Sequence, residues 1–360
     1  MEYVILLLKT IFVLNLIITL SSICTWFERK VSALIQDRVG ANRAGSKFKT
    51  DNIFLKPVFF VLRILGILGF INTLFCDPIK AIAKEDFVPE GVSNFRHSFA
   101  PFVAVMPIFL AFAVIPFAPD FTLFGYDIRM QLAPLGVGVL FIFAMGSVAV
   151  YGINLAGWYS NNKFSILGAL RGSAQLISYE LALGVGFVTI VAMYETLDLY
   201  KIIEAQKDVW GIFHNPLAWI SFIVLFIVGM AETKRGPFDM PEAESELVAG
   251  YFTEYSGMKF LLFWMGEFAE IGLFAIIVTI FFFGGWHLPF VDLPAVWWGA
   301  LIGHIIFMTK VSFFCVLQII IRWSLPRFRY DQLMNLGWKY LLPISLVNLM
   351  LVAFWELAFS

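Results

Sequence analysis

The chain has 360 residues, 60% of them hydrophobic, 17% aromatic and 14% charged, with a formal net charge of −1 and a mean hydropathy of +0.84. Soluble domains carry charge on about a quarter of their residues, so this composition excludes a soluble enzyme and specifies an integral membrane protein. Forty Phe in repeated apolar runs suit helices, because in lipid every backbone group must be paired internally and a spanning helix needs roughly 20 residues. The alternation of an outer-membrane barrel is missing.

In chain order the apolar runs predict eight spans: 4–25, 99–117, 133–157, 172–193, 215–231, 258–283, 296–321 and 338–358. The first is expected to stay as an anchor and not to be cleaved as a signal, since Lys9 interrupts it, no small-residue cleavage site follows and the basic residues of ERK come after it. The long connection 26–97 contains an apolar stretch, 53–86, broken by Lys56, Pro57 and Arg63 and closed by Asp77, Lys80 and Lys84. It is read as a helix lying in the membrane interface. A ninth span there would put the termini on opposite faces, against the distribution of charge. The polar stretch 86–97 is read as a surface connection. The expected fold class is therefore an all-α polytopic membrane protein of a single domain over 1–360, with a second large polar connection at 232–257.

Lys and Arg orient it. Connections on one face carry Arg29, Lys30, Arg38, Arg43, Lys47, Lys49, Lys56, Arg63, Lys80, Lys84, Arg96, Lys163, Arg171, Lys234, Arg235, Arg327 and Arg329, whereas the other face has Arg129, Lys201 and Lys207. The positive-inside rule then turns both termini outward and the two large connections toward the cytoplasm or matrix. Cys24, Cys76 and Cys315 form no CxxC, the four His are scattered, and no glycine-rich phosphate loop is present. Gly136 with Gly138 and Gly184 with Gly186 lie inside spans, where small residues permit close helix packing.

Ionisable residues at bilayer depth cost at least ~2.5–3.5 kcal/mol each, so they mark function by default. Here they are Glu180, Glu267, Glu270, Lys310 and, near a span end, Glu356. The bland alternative pairs each with a neighbour as structural glue, Lys310 with a carboxylate for example. The connection 232–257 gathers Glu232, Asp239, Glu242, Glu244, Glu246 and Glu254 against only Lys234 and Arg235. Within DMPE, Asp239 is placed to cap a helix with Pro241 in its first turn and Glu242 closing a capping box. Such a helix would align Asp239, Glu242 and Glu246 on one stripe with Glu244 nearly opposite. Carboxylates clustered away from water cannot all ionise cheaply, so they would titrate as a coupled set near neutral pH and could hold and pass protons.

The stretches ERKVSALIQDRVGANRAG (28–45), CDPIKAIAKE (76–85), ALRGSAQLISYE (169–180), AETKRGPFDMPEAESELVAGYFTEYSGMKF (231–260) and LPRFRYDQLMNLGWKYLLPISL (325–346) together resemble one family. It is that of the quinone-site membrane subunit of NADH:quinone oxidoreductase, respiratory complex I, the bacterial counterpart of the first mitochondrially encoded subunit. The resemblance runs from about residue 20 to the end. Ala41 stands where the family usually has Pro, which removes no ionisable group. The resemblance implies a place where the membrane arm meets the peripheral arm, with quinone as substrate, flavin and iron-sulfur clusters in partner subunits, and antiporter-like membrane subunits alongside. It implies a proton path through Glu28, Glu180, Glu232, Asp239, Glu242, Glu244, Glu246, Glu254 and Glu267. For a quinone cavity it implies Arg29, Gln36, Lys80 and Arg329, with Asp77 and Arg235 as second choices. Arg29 and Arg329 could equally meet lipid headgroups or a docked subunit. A bacterial plasma membrane is expected, and no nucleic acid.

Two other readings stay open. One is the homologous membrane subunit of an energy-converting hydrogenase or a related dehydrogenase. The other is a stand-alone transporter using Glu180, Glu267 and Lys310, for which the inverted repeats and paired broken helices of that class are not visible. A passive anchor for a soluble enzyme leaves the acids at membrane depth unexplained.

Overall fold

Where no water can satisfy the backbone, helices keep every backbone group paired, and the described residues are mostly helical. The computed structural model describes residues 2–40, 69, 70, 72–123, 125–289, 294 and 296–359. The first half of the expected interfacial helix, 53–68 with Lys56 and Arg63, and before it Ala41, Arg43, Lys47 and Lys49 lie outside the described residues.

Helix α1 runs over Glu2–Ile35, and α2 (Asp77–Ala83) follows a π turn at Asn72–Cys76. Then come α3 (Asn94–Phe112), α4 (Gly138–Tyr159), α5 (Lys163–Tyr194), the short α6 (Leu199–Ala205) and α7 (Gly211–His214), and α8 (Ala218–Glu232). One helical turn, α9 (Glu244–Leu247), precedes α10 (Gly257–Phe282) and α11 (Trp297–Ser324). The last stretch is continuous from α12 (Tyr330–Asn335) through a π turn at Leu336–Leu341 into α13 (Leu342–Phe359).

Seven helical stretches among the described residues are long and apolar enough to cross a membrane, and each matches an expected span. The eighth expected span is α8, only 15 residues long. It rises about 22 Å, short of the ~30 Å hydrocarbon core. The first and last stretches are longer than expected, at Tyr3–Ile35 and Tyr330–Ala358. A small antiparallel hairpin, β1 (Phe121–Leu123) and β2 (Tyr126–Ile128), was not foreseen; it pairs Thr122 with Asp127 around Gly125, whose φ of 80° a side chain would resist.

Helix α10 is the centre of the bundle. Of its most apolar window 67% is buried, against 22% for the last stretch, which lies at the rim. Phenylalanine fills the space around it: Phe222 meets Phe282, Phe283 and Phe314 edge-on, with ring centroids 5.5, 5.7 and 6.3 Å away, the geometry that the ring quadrupole favours. Helices α3 and α4 approach backbone to backbone at Gly152, where a Cβ would stand 2.3 Å from the Ala104 Cα. Gly152→Leu is therefore expected to separate the pair and cost at least ~2 kcal/mol, read as a lower thermal midpoint of the detergent-solubilised protein. Gly146→Ala on the same helix, where a Cβ meets nothing within 4 Å, should leave that midpoint unchanged.

Candidate functional site

The helix expected to begin at Asp239 does not form. Residues 233–243 run as successive turns, with Lys234 and Ala243 at φ of 55° and 29°, and Val248 just after α9 is at 67°, a region L-residues rarely adopt. What holds this backbone is packing against α5. Gly168 and Gly172 leave room on that helix for Pro241, whose atoms a Cβ would meet at 2.8 and 2.9 Å. Gly250, at φ 59°, lets the chain fold back within 1.7 Å of where its own Cβ would strike the Pro241 oxygen. From α5, Gln175 Nε2 donates to the carbonyls of Ala231 (2.7 Å) and Phe238 (2.8 Å), and Phe238 stacks on Phe328 at 5.5 Å.

This loop carries Arg235 into a group of carboxylates drawn from distant helices. Arg235 Nη2 donates to Glu267 Oε2 of α10 at 2.8 Å, and its Nη1 lies 3.8 Å from Glu28 Oε2 of α1. Arg322, near the end of α11, bonds the other oxygen of Glu28. The Tyr251 hydroxyl donates to Glu267 Oε1 at 2.7 Å, and the Arg235 guanidinium sits 4.5 Å over the Phe268 ring. Arg327 donates to Asp239 Oδ2 at 2.8 Å, while Asp239 Oδ1 is buried with no hydrogen-bond partner among the described residues.

Burial raises the Glu242 carboxyl well above the usual range, with Glu267 adding to it and Arg235 opposing. Burial also raises Asp239, against the pull of Arg327. Burial and the neighbouring Glu267 push the Tyr251 phenol far up, so it remains a donor at physiological pH.

A second group lies beside the first. Lys234 Nζ reaches both oxygens of Glu270 at 2.8 Å. Burial opposes its charge, but Glu270, Glu267 and Glu232 outweigh that and hold its pKa above the ordinary value. Glu232 has a buried Oε2 without a hydrogen-bond partner among the described residues. On α5, Glu180 accepts from the Ser147 hydroxyl of α4. These residues line one cavity of about 80 Å³ whose other walls are apolar, Phe143, Phe187 and Phe274 among them.

The structure thus brings together Glu28, Asp239, Glu242 and Glu267 around Arg235, and Glu180, Glu232 and Glu270 around the cavity. Two predicted acids sit apart from both groups. Glu246 is exposed and paired with Arg171, and Glu254 accepts from Asn162 Nδ2 at 2.6 Å. The Glu244 side chain lies outside the described residues.

Of the expected quinone contacts, Arg29 donates to Asp77 Oδ2 at 2.6 Å and to Thr73 Oγ1 at 3.2 Å, tying α1 to α2. Gln36 accepts from Arg38 at 2.7 Å, and Lys80 and Arg329 are exposed. Arg235, the other second choice, is buried and donates to Glu267 as described above. Among the described residues Lys310 pairs with no carboxylate: its ammonium donates to the carbonyls of Phe283, Gly285 and His287 at 2.7, 2.9 and 2.7 Å. Glu356 accepts from Asn215 Nδ2 at 3.2 Å. Sequence reasoning missed Arg322, Tyr251 and Ser147. Arg322 alone carried a signal, a cation in the last turn of a span.

The chain matches the NADH dehydrogenase family model over residues 8–353. It is 43% identical to a NADH-quinone oxidoreductase subunit of Geobacter metallireducens over 97% of this chain and 95% of that protein. With the NADH-quinone oxidoreductase subunit of the same type in Syntrophobacter fumaroxidans the identity is 42%, over 99% and 97% respectively. With NADH-quinone oxidoreductase subunit 8 of Rhodothermus marinus it shares 41% identity, over 97% and 96%.

Two outcomes are expected from the buried charges. Arg235→Met leaves the buried Glu267 without a cation, while Glu28 keeps Arg322, and should cost about 3–5 kcal/mol, whereas adding Glu267→Gln should recover part of the loss; thermal unfolding of the two variants side by side checks this. Glu242 titrates higher folded than unfolded, so the native state binds more protons between the ordinary glutamate pKa and the raised one. Stability in that window must fall as pH rises, by up to about 1.4 kcal/mol per pH unit for one proton. Glu242→Gln should flatten that slope in thermal midpoints recorded against pH.

Proposed function

The chain belongs to the NADH dehydrogenase family, a family of membrane subunits of an oxidoreductase complex, and from that premise we propose that it binds quinone at its basic face and couples quinone reduction to proton movement through its buried acids. The observation that carries the proposal is the run of carboxylates from Glu28, Asp239, Glu242 and Glu267 around Arg235 to Glu270, Glu232 and Glu180 around the cavity, with Lys234 between them. Structural ion pairs need one acid per base. Here Glu28, Asp239, Glu242 and Glu267 face Arg235, Arg322 and Arg327, four acids for three bases, and Glu232 has a carboxyl oxygen that no donor reaches among the described residues. Such a set can exchange protons at little cost because no single arrangement satisfies all of it.

Quinone reduction consumes two electrons and two protons. Negative charge arising near Arg29, Gln36, Asp77, Lys80 and Arg329 competes with the carboxylates for Arg235 and Arg322, so protons are drawn onto the acids, and their release restores the pairs. Glu244, Glu246 and Glu254 are proposed to extend the path toward the aqueous face, where Glu246 already meets Arg171. Electrons come from flavin and iron-sulfur clusters held by partner subunits of the peripheral arm, and antiporter-like membrane subunits receive the charge change. The basic connections face the cytoplasm of a bacterial plasma membrane and both termini face outward, in accord with the excess of Lys and Arg on that side. Residues 1–360 act as one membrane domain.

Glu232→Gln tests this in membranes containing the assembled complex. Quinone-dependent NADH oxidation and the accompanying proton movement should both fall at least roughly tenfold, the effect of about 1.4 kcal/mol on a barrier. NADH oxidation by a water-soluble acceptor that bypasses quinone should stay at the parental level. Retention of both quinone-linked readouts would remove Glu232 and its cavity from the path.

A further inference from the structure

Lys310, near the middle of α11, is the charged side chain at membrane depth that the candidate site leaves unused. Its ammonium donates to the carbonyls of Phe283, Gly285 and His287, in the turn that follows α10, at 2.7, 2.9 and 2.7 Å. An ammonium has three N–H groups and a neutral amine has two, so three carbonyls at these distances match the charged form. The ring of Trp210 lies 4.7 Å from the same nitrogen, a face that also favours a cation. The carbonyls hold the ammonium without removing its net charge, and among the described residues no carboxylate pairs with it.

Two kinds of surroundings meet at this charge. From the end of the bundle opposite the acids, polar groups reach inward. Glu204, 44% exposed, has a carboxylate oxygen 3.5 Å from Nε2 of His287. Trp210 Nε1 donates to the His287 carbonyl at 3.3 Å, and that carbonyl is one of the three that hold Lys310. On the inner side the space is apolar. Phe314, one turn along α11 from Lys310, packs on Phe283 with ring centroids 4.9 Å apart, and Phe222 meets Phe282, Phe283 and Phe314 edge-on. Between Glu270 and Phe282 α10 rises roughly 18 Å. The polar side chain of that stretch, Thr279, is bonded to the Ala275 carbonyl. The approach from the far end therefore stops at a fixed positive charge backed by phenylalanine.

We propose that Lys310 is a selectivity residue, a fixed cation that keeps protons at the far face from crossing the phenylalanine layer to the carboxylates around Glu267 and Glu270. Glu204 attracts protons from the water it faces, so the barrier is needed behind it. A proton moving inward past His287 carries positive charge, and an ammonium repels it most strongly where little water screens the pair. Pores that pass neutral solutes exclude protons by the same means, a cation or the positive end of a helix set in the passage. The inference rests on the functional reading above, in which the far face is the outer one and the acids exchange protons with the opposite side. A leak from the outer face would short-circuit that exchange.

The experiment reads passive proton flow in proteoliposomes of the assembled complex, without NADH or quinone. An imposed pH gradient is followed with a lumenal pH dye while valinomycin and potassium clamp the membrane potential, and protein-free vesicles give the background. Lys310→Gln keeps hydrogen-bond donors and loses the charge; it is expected to speed collapse of the gradient at least about tenfold. Lys310→Arg should collapse it at the parental rate, and chloride efflux should be parental in both variants. A parental proton rate in Lys310→Gln overturns the proposal, as does a leak in Lys310→Arg equal to that in Lys310→Gln. A matching gain in chloride efflux also overturns it, because it marks a gap in the packing at the end of α10. Where Lys310→Gln does not assemble, Lys310→His carries the test. Relative to the parent, its leak must rise between about pH 5.5 and about pH 8 as the ring loses its charge, and a leak indifferent to pH overturns the proposal. No step requires turnover, so a failure here is distinct from a failure of the acid path.

Discussion

A guanidinium held away from water beside several carboxylates is the constraint on which the rest depends. Arg235 is buried, and so is Glu267, to which it donates at 2.8 Å. Removing either charge from water costs several kcal/mol, recovered only if the pairing geometry is good and the remaining lone pairs find donors. Arg suits the position because its planar fork addresses Glu267 and Glu28 at once and its face rests on Phe268. Arg322, Arg327 and Tyr251 supply donors that Arg235 cannot. Few apolar arrangements would be so demanding of α1, α10, α11 and the loop before α9 simultaneously.

That demand explains the irregular loop. A helix beginning at Asp239 would satisfy the local capping chemistry, and the residues for it are present. It would also carry Glu242 and Asp239 along a regular stripe, away from charges arriving from three other helices. The turns that form instead put non-glycine residues at positive φ, a cost of order 1–3 kcal/mol each, which surrounding structure must compensate. The compensation is visible: Gly168, Gly172 and Gly250 admit the close approach to Pro241, Gln175 donates to two carbonyls of the segment, and Phe328 N donates to the Pro237 carbonyl at 3.2 Å.

How much of this could be read in advance follows from range. Spans depend on local hydropathy, so seven of the eight expected were legible, and the eighth, α8, is apolar as expected but proves too short to cross by itself. The presence of intramembrane acids was equally legible, because a charge in an apolar run is a local fact. Partners were not. Arg322 and Glu28 are 294 residues apart in sequence, and nothing in either neighbourhood specifies the other. The carboxylate imagined for Lys310 proved to be three backbone carbonyls, a partner that no reading of side chains proposes. The helix at Asp239 failed for the converse reason: its capping signals were real, and tertiary packing outweighed them.

The middle of α10, where Glu267 and Glu270 lie, and its end at Phe282 solve the burial of polar atoms differently. At its far end Gln206 donates to the carbonyls of Ile202 and Ile280 and accepts from the amides of Gly211 and Gly284, all within 3.1 Å, and Lys310 donates to three carbonyls nearby. The Gln206 amide and its backbone partners do not titrate, so that group has one state and serves as a fastening. At mid-helix the partners are carboxylates, a phenol and cations, each able to change its proton count or its partner. Both places solve the same problem, polar atoms removed from water, but only the second solution leaves more than one arrangement of nearly equal energy. A membrane subunit that must respond to charge needs such a place, and it needs the rest of its polar groups fixed so that the response stays there.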